Sequence, residues 1–194
     1  MTPEPLRTAV LISGRGSNMA ALVKASDARG CPYRVDLVLA NDPDAPGLAF
    51  ARERGIATWA RSHKGMKRAE FDALLDAELR KAGIELIALA GYMRLLSPEF
   101  IARWEGRILN IHPSLLPLYK GLDTHQRAID AGDSKAGCSV HVVTVELDDG
   151  PVIDRAEVPI LPGDTAADLA ARVLAEEHGL YARALAGFAR TLQG

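Results

Sequence analysis

The chain has 194 residues, 48% apolar and 25% charged, and its 23 basic and 25 acidic residues leave a net charge of -2. An intrinsically disordered segment is excluded, because it would be poorer in apolar residues and more lopsided in charge. Non-specific nucleic-acid binding loses its usual basis too, since no basic field covers the molecule. Cys31 and Cys138 are the only cysteines and form no CxxC pair, which argues against a disulfide framework or structural zinc. The apolar run Ile84–Met93 is broken by Glu85 and falls short of the ~18 residues a membrane span needs. Ala9–Ile12 is too short for a signal-peptide core. The expectation is a cytoplasmic protein, one domain over residues 1–194, binding neither membrane nor nucleic acid.

In chain order, Thr8–Ile12 reads as a strand and Asn18–Ala28 as a helix, then Val35–Ala40 as a strand and Ala45–Arg54 as a helix. Ala57–Trp59 suits a short strand. Arg68–Lys81 follows as a helix with Phe71, Leu74, Leu75 and Leu79 at helical spacing, and Leu86–Ala90 and Arg107–Ile111 are strands. Gly30, Gly55 and Gly83 stand just past the helical segments, as helix stops do. This alternation predicts a twisted, mostly parallel sheet with right-handed crossovers and helices on both faces. After Pro113 the pattern changes. Leu115–Lys120 is a proline-punctuated loop, Thr124–Ala131 a helix, and Ser139–Glu146 a strand containing His141. Asp148-Asp149-Gly150 reads as a tight turn into Pro151–Ile160, giving an antiparallel hairpin at the sheet edge. Asp164–Arg190 is a long C-terminal helix that Gly179 could interrupt.

Three places carry chemistry. Ser13-Gly14-Arg15-Gly16-Ser17-Asn18 follows the first strand, and such a strand-to-helix turn offers backbone N–H groups and a helix dipole to a phosphate. Met19 stands where a dinucleotide fingerprint needs its third glycine, and no GK[ST] follows, so a small phosphorylated substrate fits better than a dinucleotide or a P-loop nucleotide. The plainer alternative is a tight turn in which Ser17 or Asn18 caps the helix. Next, Asn110 and His112 lie two apart at the end of a strand, so both side chains leave one face, beyond the carboxyl ends where open sheets bind ligands. An amide and an imidazole there can donate to one developing oxyanion, or simply close a loop as a buried polar pair. Last, Asp148 lies in an acidic turn that is either solvated or returns toward His112, where a carboxylate favours the protonated imidazole. His141 reads as a satisfied core histidine or one standing behind the site residues, His125 as capping or facing the loop around the site, and His63 as a surface residue. No HxxxH spacing joins the histidines, so no metal is expected.

Taken together, LISGRGSN, LAGYMRLLSP, ILNIHPSLLP, GLDTHQRAI, SVHVVTVELDDGPVI and AEEH, in this order, closely resemble the folate-dependent phosphoribosylglycinamide formyltransferase family. The resemblance implies a Rossmann-like formyltransferase fold and formyl transfer from 10-formyltetrahydrofolate, as co-substrate, to the glycine amine of phosphoribosylglycinamide, by a monomer or homodimer. By motif, Asn110, His112 and Asp148 match the family's catalytic trio. Gly16, Ser17 and Asn18 match its ribose-phosphate turn, and Glu177 matches a carboxylate on the ribose hydroxyls. Arg68, Met93, Arg94, Leu96 and Asn110 match positions around the folate. Lys120 stands where a proline is common in relatives, and Asp123 where many carry a histidine. A formyl-folate hydrolase, a tRNA formyltransferase and a non-catalytic nucleotide-binding module are the competing readings.

Overall fold

Apolar runs too short for helices lie between amphipathic segments over the first 112 residues, and in the computed structural model, which describes residues 3–194, each run is a strand of one sheet. The elements are β1 (Leu6–Ile12), α1 (Ser17–Ser26), β2 (Tyr33–Ala40), α2 (Gly47–Glu53), β3 (Ala57–Ala60), α3 (Arg68–Lys81) and β4 (Leu86–Leu89). They continue as α4 (Pro98–Arg103), β5 (Ile108–His112), α5 (Thr124–Asp130), β6 (Lys135–Val142), β7 (Val152–Pro159) and α6 (Ala166–Gln193). The seven strands lie in the order β3-β2-β1-β4-β5-β6-β7. β1 to β5 pair in parallel, β6 runs antiparallel to β5, and β7 antiparallel to β6. The expected mostly parallel sheet with an antiparallel edge hairpin is therefore the observed one.

Side-chain alternation divides the core. On β1, Val10 and Ile12 face the layer of α1, α2 and α6, whereas Ala9 and Leu11 face Phe71, Leu75 and Leu79 of α3 and Phe100 and Ile101 of α4. Burial on both faces explains why these parallel strands read as continuous apolar runs. Helix α6 is docked by Tyr181, whose hydroxyl lies 3.0 Å from the carbonyl oxygen of Leu89 and 3.1 Å from that of Leu109. Its fully buried ring leaves the phenol no water, so these carbonyls satisfy it.

Four features differ from the sequence reading. Strand β6 starts at Lys135 and stops at Val142, because Lys135, Ala136 and Gly137, poor strand formers alone, pair with Pro159, Val158 and Glu157. The β6–β7 connection is consequently a loop over residues 143–151, not a tight turn at Asp148-Asp149-Gly150. Helix α4 was not expected; Ser97, whose Oγ accepts from the Phe100 N–H, and Pro98 at its first turn start it. Gly179 does not interrupt α6, which runs unbroken for 28 residues.

Candidate active site

The order β3-β2-β1-β4-β5 reverses direction between β1 and β4, and loops that leave in opposite directions there open a crevice at the carboxyl ends. On one side lies the turn after β1. Gly16 takes the N-cap place of α1 at φ 71°, and a Cβ there would stand 2.9 Å from Met19 Cε and 3.3 Å from Gly47 Cα. Only glycine tolerates both the dihedral and the approach. Gly16, rather than Ser17 or Asn18, thus caps the helix, and no side chain makes a capping hydrogen bond at its amino end. The Ala20 N–H already bonds the Gly16 carbonyl at 2.8 Å, so the helix leaves the N–H groups of Ser17, Asn18 and Met19 free for an anion. Asn18 is buried and donates to Glu177 Oε2 at 2.6 Å, joining two predicted substrate residues 159 positions apart. Its Oδ1, also buried, meets no protein donor. Burial pushes the Glu177 carboxyl above its ordinary pKa, opposed by the Asn18 hydrogen bond.

At the far side of β5 the three residues predicted to be catalytic come together. Asn110 and His112 point to one face of the strand, as their spacing predicted, and antiparallel pairing sets His141 opposite Asn110 and Ser139 opposite His112 on that face. His112 Nδ1 lies 3.4 Å from Asp148 Oδ2, and His112 Nε2 lies 3.0 Å from the Tyr119 carbonyl. His141 Nε2 lies 3.2 Å from Asn110 Nδ2 and 3.5 Å from Asp148 Oδ1, while its Nδ1 lies 3.1 Å from the Val142 carbonyl. Burial alone would raise the Asp148 carboxyl. The His141 contact, the Gly121 N–H at 3.0 Å and the charges of His112 and His141 outweigh it, and the carboxyl sits below the usual carboxylate range. Asp148 and Tyr119 both have positive φ, 49° and 52°, so the groups facing His112 come from backbone that most residues avoid. His141, which the sequence leaves open between a core histidine and one supporting the site, stands beside the predicted trio. Its signal is its position in β6 opposite Asn110, visible only once the strands are paired.

The loop after β4 holds the predicted folate residues. Met93 is 72% exposed, and Leu96 is buried in the core with α3 and α4. The Arg94 guanidinium lies over the Phe71 ring at 5.0 Å, and its Nε is buried without a protein partner. Asp72, raised by burial against the Ser97 N–H, feels the charges of both Arg94 and Arg68. Arg68 and Arg94 therefore share a neighbourhood. His63 is half-buried, not a plain surface residue: its Nδ1 lies 3.0 Å from the Asn41 carbonyl oxygen. His125 is half-buried as well, and burial followed by the charge of His112 lowers its pKa. Lys120 pairs with Asp149, and Asp123 takes the N-cap place of α5 at φ 56°. Among the described residues no group of three His, Cys, Asp or Glu side chains is placed to hold a metal, and no helix is long and apolar enough to cross a membrane.

Known proteins bear on this geometry. Residues 6–185 match the family described as formyl transferase. The chain is 45% identical over 181 residues to phosphoribosylglycinamide formyltransferase of Escherichia coli, covering 93% of this chain and 85% of that protein. It is 46% identical to the trifunctional purine biosynthetic protein adenosine-3 of Drosophila melanogaster, but spans only 14% of that protein's length. Among solved structures, phosphoribosylglycinamide formyltransferase from Brucella melitensis superposes with a TM-score of 0.91 at 51% identity over 96% of each chain. Glycinamide ribonucleotide transformylase 1 from Symbiobacterium toebii gives 0.93 at 42%, over 96% of this chain and 89% of that one. With the glycine turn, the Asn–His–Asp corner and this likeness in hand, the chain belongs to the formyl transferase family.

Proposed function

We propose that residues 1–194 act as one formyltransferase unit that moves the formyl group of 10-formyltetrahydrofolate to the glycine amine of phosphoribosylglycinamide, yielding the N-formyl product and tetrahydrofolate in purine biosynthesis. The observation that carries this reading is the meeting of His112 and Asp148 at 3.4 Å, with Asn110 on the same strand face, across a crevice from a vacant-capped helix end suited to a phosphate. Ser17, Asn18 and the N–H groups around them would hold the phosphate, and Glu177 the ribose hydroxyls. The buried, donor-free Oδ1 of Asn18 suits the same hydroxyls. Arg68, Met93 and Arg94 would face the folate, while Leu96 supports their loop from the core.

The neutral amine attacks the formyl carbon, and the carbonyl electron pair moves to oxygen. Asn110 Nδ2 carries two hydrogens; only one of them can face His141 Nε2, at 3.2 Å, so the other is free for the oxyanion. Protonated His112 keeps Nδ1–H on Asp148 and turns Nε2–H from the Tyr119 carbonyl to the oxyanion or the departing nitrogen. His112 then gives its Nε2 proton to the folate nitrogen, the carbon–folate nitrogen bond breaks as the carbonyl reforms, and the surplus proton of the attacking amine returns to His112 directly or through a water held by Asp148. No covalent enzyme intermediate is needed. The setting is the cytoplasm, with the protein a monomer or homodimer.

The test is spectrophotometric release of tetrahydrofolate with and without phosphoribosylglycinamide. Amine-dependent release supports the transferase. Equal release in water alone would show a hydrolase instead, and no release a nucleotide-binding module.

A further inference from the structure

We infer that Ser13, which no part of the proposed mechanism uses, is a positioning residue that fixes the nucleotide turn against the folate loop and so sets the gap between the two substrates. The inference rests on the transferase reading for its kinetic content, but its structural content stands alone. Ser13 follows the last residue of β1 and opens the turn that ends at Asn18. Its hydroxyl donates to Asn41 Oδ1 at 2.6 Å and accepts from the Met93 N–H at 2.8 Å. One oxygen therefore joins the ends of β1 and β2 to the loop after β4, across the point where the sheet order reverses.

The partners are themselves fixed. Asn41 is 6% exposed, and its carbonyl oxygen and Nδ2 lie 3.0 and 3.1 Å from His63 Nδ1, which ties the residue to the segment after β3. The folate loop is held at three backbone points: the Ala90 N–H on the Leu11 carbonyl at 2.9 Å, the Met93 N–H on Ser13, and the Ser97 N–H on Asp72 at 2.6 Å. The outer two lie at the loop's ends. Between them Tyr92 and Leu96 pack against the core and Arg94 lies over Phe71, while Met93 is exposed, so the central backbone tie falls to Ser13. Removing that hydroxyl leaves the Met93 backbone, next to Arg94, without its tie to the turn. A neutral hydrogen bond of this kind contributes about 0.5–1.5 kcal/mol, which corresponds to roughly a two- to tenfold change in an equilibrium constant.

The experiment compares wild type, Ser13→Ala and Ser13→Thr in the full chain by hydrogen exchange at the Met93 amide and by steady-state kinetics with both substrates varied. Ser13→Ala is expected to speed exchange at Met93 and to raise KM for phosphoribosylglycinamide and for 10-formyltetrahydrofolate, each roughly two- to tenfold, with a smaller change in kcat. Ser13→Thr, which keeps the hydroxyl, is expected to restore both. A serine with a merely structural role would lower Tm and leave both KM values in place, and that result overturns the proposal. Unchanged Met93 exchange in Ser13→Ala overturns it too, as does a KM change confined to one substrate. If wild type shows no amine-dependent transfer while the exchange shift persists, the transferase reading fails and the Ser13 tie does not.

Discussion

The turn after β1 and the corner around His112 are both parts of the proposed site, yet they are built by opposite means. The turn is local: its chemistry lies in main-chain N–H groups within three residues, and its shape in one glycine at φ 71°. The corner is assembled from afar, from a strand at Asn110 and His112, an antiparallel neighbour at His141, and a loop at Asp148 and Gly121. A local anion site needs only a helix end and room, whereas a corner that stabilises a transient charge must have its groups aimed in advance. The expected outcomes of substitution separate the two regions.

The largest effect belongs to the corner. His112→Ala and Asp148→Ala are each expected to lower kcat by about 10²–10³-fold with the fold retained, because each removes a donor or the carboxylate that orients it. Stopped-flow or steady-state rates on folded, purified variants check this, and near-normal turnover removes that residue from the mechanism. A second substitution attacks the corner without touching a reacting group. A Cβ on Gly150 would stand 1.7 Å from the Val142 carbonyl oxygen, so Gly150→Ala must push the loop over residues 143–151 away from β6 and carry Asp148 with it. Displacing a catalytic group by about 1 Å costs on the order of a hundredfold in rate. Gly14→Ala is the control from the turn: nothing lies within 4 Å of its Cβ, and transfer should hardly change. Equal losses from the two glycines would erase the contrast between the regions.

That contrast also governs what the sequence disclosed. β1, β2, β4 and β5 were readable because strands buried on both faces are continuous apolar runs, and the turn because its glycines and serine are adjacent in the chain. Asn110 and His112 were placed on one face by spacing alone. His141 is left undecided between a core and a supporting role, since a histidine alternating with apolar residues looks the same in either until β6 is laid beside β5. The start of β6 was hidden, because Lys135-Ala136-Gly137 has no strand character apart from its partner β7. The Asn18–Glu177 and Ser13–Met93 bonds join residues far apart in sequence, and no periodicity reports such pairs.

In the turn, Ser17→Ala and Asn18→Ala are expected to weaken nucleotide binding by roughly three- to thirtyfold while kcat at saturation stays close to wild type, since they remove ground-state hydrogen bonds to a charged ligand. Calorimetric Kd values equal to wild type would return the turn to a plain helix start.

Glu177 gives the smallest effect and the one with a sign to work out. Burial raises its folded-state pKa above the unfolded value, so the folded protein holds this proton more tightly than the unfolded chain does. Stability is therefore greatest below the unfolded pKa, falls as pH rises from there through the folded pKa, and stays at its reduced level at neutral pH. Glu177→Gln keeps an acceptor for Asn18 but has no proton to lose. It should raise Tm at pH 7, lose that advantage below pH ~4, the unfolded carboxyl range, and still bind the nucleotide more weakly through the loss of a charged acceptor for the ribose. A Tm difference that is the same at both pH values would mean that the buried charge is not what costs stability. The turn would then owe nothing to a carboxylate held, at some expense, against its own solvation.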